Sequence, residues 1–280
     1  IMIGGVVVNF LLGFFIFAMI LFTWGRSYYK NADVKYGIAV DSLGTNLGLR
    51  DGDKIVSVGG VAMDKFSAGF AVKQIVLNNA NVIKVQRNGQ EIDLQVPAEL
   101  AGKLTTKEYK NKEIYSIRYP QKIESVKENS LGEKAGLKKG DVVIAINNNP
   151  NVVFAHEFAQ EIRRHKNETV SLSVIRGADT LALTSKLDST STLGVGLAAP
   201  DQFLTVSKEK FSLMQALPEG VKEGTGFLSD QISAFGQMFK GKINVTDNLG
   251  SIFSVATLFD PSWTWEKFWR ITAMLSVILA

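Results

Sequence analysis

Gly48-Leu49-Arg50-Asp51-Gly52-Asp53-Lys54-Ile55-Val56 and Gly136-Leu137-Lys138-Lys139-Gly140-Asp141-Val142-Val143-Ile144 are two versions of one phrase. Both glycines recur at an offset of 88 residues, 48 to 136 and 52 to 140. Glycine supplies the positive φ of a tight turn, and the apolar run after each aspartate reads as a strand entering a core. A turn follows each strand: Val58-Gly59-Gly60 in the first copy, Ile146-Asn147-Asn148-Asn149-Pro150 in the second. A helix comes next. Phe66, Phe70, Ile75 and Leu77 recur at roughly helical intervals, and Phe154, Phe158 and Ile162 repeat every four residues.

Each copy closes on a hairpin. Residues 83–86 turn at Arg87-Asn88-Gly89 into 92–96, and residues 170–174 turn around Arg176-Gly177-Ala178-Asp179 into 181–183. Alternating strands joined by Asn-Gly or Gly-rich turns are a strong short-range hairpin signal. The spacing thus predicts a small β-rich (α+β) domain twice, over 36–98 and 120–205, joined by a charged linker at 99–119.

The flanks differ in kind. Residues 1–24 carry no charge, and Asn9 is their one strongly polar side chain. About twenty such residues span a bilayer core of roughly 30 Å. Trp24, Tyr28 and Tyr29 with Arg26 and Lys30 supply interfacial trim, so residues 1–25 read as a transmembrane helix rather than a signal peptide. Over 211–240, Val221, Leu228, Ile232, Phe235 and Phe239 form one apolar stripe, which predicts an amphipathic helix at the membrane interface. Residues 241–262 connect it to 263–280. There Trp263, Trp265 and Trp269 precede an apolar run that reads as the start of a further transmembrane helix. The chain opens on Ile1 and stops within that run, so the expectation is an internal part of a larger membrane protein.

Composition removes several classes. The net charge is +4 with basic residues scattered among acids, which argues against nucleic acid as a partner. There is no cysteine, hence no disulfide, thiolate metal site or cysteine nucleophile in these 280 residues.

The pattern of strand, linker, Ala-Gly-Leu-basic-x-Gly-Asp and apolar strand resembles the bacterial type of PDZ domain. Glu133 to Asp141 match it closely, and the first copy, with Asn46-Leu47-Gly48-Leu49, less so. PDZ domains bind peptides by adding a strand to a sheet edge. Two such domains between spanning helices resemble the site-2 protease family, in particular its two-PDZ bacterial members of the sigma-E regulator type. Gly5-Val6-Val7-Val8-Asn9-Phe10 is similar to the Gly-x-x-x-Asn pattern of that family's second spanning helix. Gly241-Lys242-Ile243-Asn244-Val245 and Asn248-Leu249-Gly250-Ser251-Ile252 resemble the segment before its third, though the usual proline is missing after Gly250.

This resemblance implies an intramembrane zinc metalloprotease that cleaves a transmembrane substrate, an anti-sigma factor or signal-peptide remnant. Its PDZ pair would lie outside the cytoplasmic membrane and gate access. The zinc ligands, a His-Glu-x-x-His helix and an Asp of a Leu-Asp-Gly motif, would lie outside residues 1–280. No catalytic or metal residue is therefore expected within the chain, and alone it should be inactive. Asn9 is the candidate for holding an unwound substrate strand, with helix–helix adhesion as the bland alternative, and Gly4 and Gly5 would admit a close neighbouring helix. His156-Glu157-Phe158-Ala159-Gln160 begins like a zinc motif, but Gln160 replaces the second His, so His156 reads as a solvated helix residue. Membrane lipid is the other expected partner. The competing function is a non-catalytic membrane scaffold binding peptide tails.

Overall fold

The computed structural model describes residues 2–106, 113–240 and 263–280. Helix α1 (Met2–Trp24) contains no charged residue and ends at Gly25, whose φ of +72° turns the chain into strand β1 (Arg26–Tyr29). Length and composition make α1 apolar enough to cross a membrane.

The first module runs β2 (Ile38–Val40), α2 (Ser42–Asn46), β3 (Lys54–Val58), β4 (Val61–Ala62), α3 (Phe70–Asn78), β5 (Val82–Arg87), β6 (Gln90–Gln95), α4 (Ala98–Lys103) and β7 (Tyr115–Ile117). Its strands form a four-stranded sheet, β4-β3-β5-β6, and a β2-β7 pair. The β5–β6 hairpin pairs Arg87 with Gln90 around Asn88 and Gly89, both at positive φ as a two-residue primed turn requires. Of the stretch 99–119, expected to link the copies, the described residues 99–106 and 113–117 instead belong to this module. Leu104, Ile114 and Tyr115 are buried in its core beside Ile38, Ile55, Ile75 and Ile83, and β7 pairs with β2. The polar and charged residues of the stretch concealed this in the sequence.

The second module repeats the order: β8 (Ile123–Val126), α5 (Leu131–Lys134), β9 (Val142–Ile146), α6 (Ala155–Arg164), β10 (Thr169–Arg176), β11 (Asp179–Lys186) and β12 (Val195–Leu197). Here β9-β10-β11 form one sheet and β8-β12 a pair. Phe158 and Ile162, one turn apart on α6, are buried with Ile123, Val143, Ile146 and Leu172. Glu157 fixes the start of α6 by accepting the Phe154 N–H at 3.1 Å.

The aspartate that ends each phrase has its own explanation. Asp53 and Asp141 have side chains 1% and 0% exposed. Each accepts a backbone N–H of its own turn, from Arg50 at 2.9 Å or Lys138 at 2.8 Å. Each is also gripped by two guanidinium nitrogens, of Arg87 (2.7 and 2.7 Å) or Arg176 (2.8 and 2.8 Å). The same arginines reach the Gly48 and Gly136 carbonyls. One ion pair thereby ties turn, strand and hairpin in each module.

After the second module, β13 (Val206–Glu209) pairs antiparallel with β1, Arg26 facing Glu209 and Tyr29 facing Val206. The chain therefore returns beside the point where it left α1. Helix α7 (Leu213–Phe239) follows, coinciding with the expected amphipathic helix. Its Gly220 and Gly224 pack on Ala18, Phe14 and Phe17 of α1. Helix α8 (Trp265–Ile278) lies against α1 on another side, with Ala273 and Val277 beside Gly13. The segments 241–245 and 248–252 singled out in the sequence lie outside the described residues.

Candidate functional site: the open edge of the second module

Strand β12 has a partner on one side alone among the described residues. Gly194 and Ala198 both bond towards β8, through Lys127 N–H to Gly194 C=O (2.9 Å) and Ala198 N–H to Lys122 C=O (2.8 Å). Strand alternation then turns the main-chain groups of Val195 and Leu197 to the open side. The side chains of Val195 and Leu197 pack on the core that α6 supplies with Phe158 and Ile162, so α6 and the open edge share one apolar bed.

Leu193-Gly194 forms the turn into this edge. Leu193 is buried, its C=O accepting the Gly132 N–H at 2.7 Å, and Gly194 sits at φ +69° with a Cβ position overlapping Ser130. Among the described residues no carbonyl accepts from the Leu193 or Gly194 N–H. Two successive unpaired amides at a strand start suit a carboxylate, and the edge beyond suits an extended chain.

The end of α6 is charged. Glu161 is held below the usual carboxylate range by the Asn149 side chain, against its own burial, with His165 and Arg164 adding to the effect. The His165 imidazole is pushed up by Glu168 at 2.7 Å, against burial, with help from Glu161 at 3.4 Å.

The first module differs at the equivalent place. Asp41 N–H bonds to Ile114 C=O and Arg118 N–H to Gly37 C=O, so β7 also has an open side. Where the second module has Leu193-Gly194-Val195, however, the first has Glu113-Ile114-Tyr115. Ile114 is fully buried, as Leu193 is in the second module, and Glu113 is exposed. The Tyr115 phenol donates to Ser67 C=O at 2.9 Å and accepts the Ala71 N–H at 3.3 Å, and burial pushes its ionisation far up. The neighbouring helix α3 is engaged by α7, through Lys73–Asp230 at 2.6 Å and Gln237 Nε2 to Leu77 C=O at 3.1 Å.

The modules are in direct contact. Arg118 is bonded to the first and Tyr119 C=O to Ala155 N–H of the second, at 3.0 Å. Arg118 lies 3.6 Å over the Phe154 ring and pairs with Glu157 at 2.8 Å. His156, expected on a solvated face, is instead in this joint, its side chain 15% exposed and Nε2 3.2 Å from Asp51 of the first module. The helical wheel alone could not show that a second domain covers that face.

Asn9 is half-buried on α1 against α8. Its Nδ2 lies 3.5 Å from the Leu279 carbonyl, and its own carbonyl accepts from Ser276 Oγ at 2.8 Å. Gly5 and Gly4 have nothing within 4 Å of a built Cβ among the described residues. Close helix approaches are made at Gly13, Gly220 and Gly224. No group of three or more His, Cys, Asp or Glu among the described residues could hold a metal ion.

An edge strand open beside a helix, entered through a glycine turn with free amides, defines a peptide-accepting module. Residues 104–175 match the PDZ domain family, so the chain carries a PDZ domain, the class of fold that binds peptides. The matched span begins in the first module's closing segment, takes in β8 to β10 with α5 and α6, and stops short of β12.

The sequence reading includes Leu193-Gly194-Val195 within its second domain, 120–205, but assigns no element after the hairpin and so singles out none of the three. The available signal was a glycine between two apolar residues, just after the polar run Ser189 to Thr192.

Proposed function

We propose that the chain is the central part of an intramembrane zinc metalloprotease of the site-2 type. The paired modules stand outside the membrane and govern which transmembrane substrate reaches the catalytic centre. The observation that carries this reading is the β1–β13 pairing. Both modules hang as one insert from a two-stranded stalk, between α1 on one side and α7 and α8 on the other. An insert of that kind filters what approaches the helices beneath it.

The open β12 edge receives an extended peptide segment, its carboxylate at the Leu193 and Gly194 amides. Asn9, on α1, offers an amide to the main chain of an unwound substrate. Zinc would be held by side chains outside this chain, and no chemical step is assigned to residues 1–280.

The test uses the full-length parent protein. It should retain zinc after purification and cleave a single-pass membrane substrate, and Asn9→Ala should slow cleavage about tenfold to a hundredfold, the worth of one or two hydrogen bonds. The PDZ match favours a second reading, a membrane scaffold for peptide tails. Peptide binding by a parent that holds no zinc and cleaves nothing would establish the scaffold instead.

A further inference from the structure

The foot of the stalk encloses a second site, separate from the module edges. A cleft of about 550 Å³ opens where α1 gives way to β1, walled by Arg26, Lys65, Lys210 and Lys222, with Glu209 and Glu219 as its acids. Arg26 is engaged by Glu209, Glu219 and Glu223 at 3.3, 3.5 and 2.6 Å. Lys65 bonds Glu209 at 3.0 Å and lies over the Tyr28 ring. The other two cations are less committed. Lys222 reaches Glu219 at 3.5 Å with its side chain 77% exposed, and Lys210 has no carboxylate partner among the described residues. Helix α7 starts at this cleft with no acid in its first turn, so its N-terminal partial charge adds to theirs.

A different observation points to the occupant. At about 100° per residue, Leu213, Leu217, Val221, Ile232, Phe235 and Phe239 fall within an arc of roughly 100° on α7. All six are exposed. Off the arc, Ala216 and Gly220 are buried, the glycine against α1, while Glu219 bonds Arg26 and Asp230 and Gln237 bond α3. Within the arc, Gly224 and Leu228 pack towards α1, so the exposed residues form two stretches, one from Leu213 to Val221 beside the cleft and one from Ile232 to Phe239. The apolar arc adjoins the α1 face and thus continues the apolar surface of α1, where Phe22 and Trp24 are exposed. The cleft residues Pro218 and Lys222 border the arc on its other side. Cationic cleft and apolar arc are therefore neighbours on one helix, level with the end of a helix apolar enough to cross a membrane.

We propose that the cleft and the adjoining stretch of the arc together bind an anionic phospholipid, its phosphate held by Lys210, Lys222 and the start of α7 and its acyl chains laid along Leu213, Leu217 and Val221. A zwitterionic lipid carries a cation that these lysines repel, whereas an anionic headgroup leaves its charge available to them. The site rests on the reading that α1 spans a membrane. It would pin α7, and through Lys73–Asp230 and Gln237 the first module, at a set height above the bilayer.

The test takes the chain in mild detergent and titrates it with phosphatidylglycerol or phosphatidylcholine of equal acyl length, counting bound lipid by native mass spectrometry. One phosphatidylglycerol should be retained at least tenfold more tightly. Lys210→Gln and Lys222→Gln should each weaken it about fivefold and together roughly thirtyfold, at the usual worth of a lysine near an anionic surface. Neither lysine is needed for the stalk, so circular dichroism should not change. Equal retention of both lipids, or a preference that survives the double substitution, would overturn the site. So would displacement of the lipid by inorganic phosphate at millimolar concentration, which would mean a simple anion pocket. Alkaline extraction of bacterial membranes containing the chain separates the underlying reading. Release of the chain refutes the spanning α1 and the lipid site with it, while retention without headgroup preference refutes the lipid site alone.

Discussion

Replacing Asp141 by Asn tests whether the twin aspartate–arginine ties hold the modules together. The carboxylate accepts three hydrogen bonds at 2.8 Å, two from Arg176 and one from the Lys138 N–H. Asn keeps one acceptor oxygen and turns an NH2 towards a guanidinium, so the charge-assisted pair is lost. At about 1 kcal/mol or slightly more for each bond, the cost is about 3 kcal/mol, the low end for breaking a buried pair. The low end applies because Arg176 is 31% exposed and can reach water once released. Hydrogen exchange read by mass spectrometry should show strand β10 (Thr169–Arg176) exchanging roughly a hundredfold faster. Strand β5 in the first module serves as internal control, and Asp53→Asn should produce the mirror result. A change below about fivefold in β10, or an equal rise in β5, would refute the reasoning. The effect also has a pH signature. Arg176 holds the Asp141 carboxyl below its usual range, against burial and with help from the Lys138 N–H. A depressed acid stabilises the fold above its unfolded value of about 3.9 and loses that contribution as pH falls through its folded value. The gap between wild type and Asp141→Asn should therefore close in strong acid.

Three further outcomes follow from the same geometry. His165, pushed up by Glu168 and Glu161, should stabilise the second module below about pH 6.5 and lose that contribution as pH rises through its higher folded value; His165→Gln should flatten the dependence in a hydrogen-exchange pH series. Gly220→Val places a Cβ 2.5 Å from the Ala18 backbone nitrogen, so exchange across α7 should rise sharply, while Gly226→Val, with nothing within 4 Å, should leave it unchanged. His156→Ala should loosen the joint between the modules, seen as severalfold faster tryptic cleavage after Arg118 with no loss of either core.

What the sequence made legible was whatever repeats along the chain. The Gly-Asp phrase, the Asn88-Gly89 hairpin and the four-residue spacing of Phe154, Phe158 and Ile162 are local signals, and the folded elements coincide with them. Contacts made across sequence distance were not legible. Arg87 and Arg176 lie more than thirty residues after the aspartates they grip, and a hairpin arginine ordinarily reads as solvated surface. Ile114 and Tyr115 sit beyond a charged stretch, so burial in the first core could not be inferred from their neighbours.

The open edge shows the same limit in a form that bears on function. Each module is completed by a strand that arrives after its last hairpin: β7 reaches back to β2, and β12 to β8. The first copy, bounded at 98, therefore ends before its closing strand β7, and in the second, bounded at 205, the closing strand β12 lies inside the bounds without being singled out. The two copies are most alike in the Gly-Asp turn, which holds the structure together. They differ most at Glu113-Ile114-Tyr115 against Leu193-Gly194-Val195, where a ligand would meet the backbone. A buried aspartate must be satisfied in both modules, so that part is fixed by stability. A strand edge facing solvent is under no such constraint, and there one copy has a glycine turn where the other has isoleucine and tyrosine. Similarity between the copies thus reports what folds them, and the departure between them falls on the exposed edge, where stability leaves the sequence free to vary.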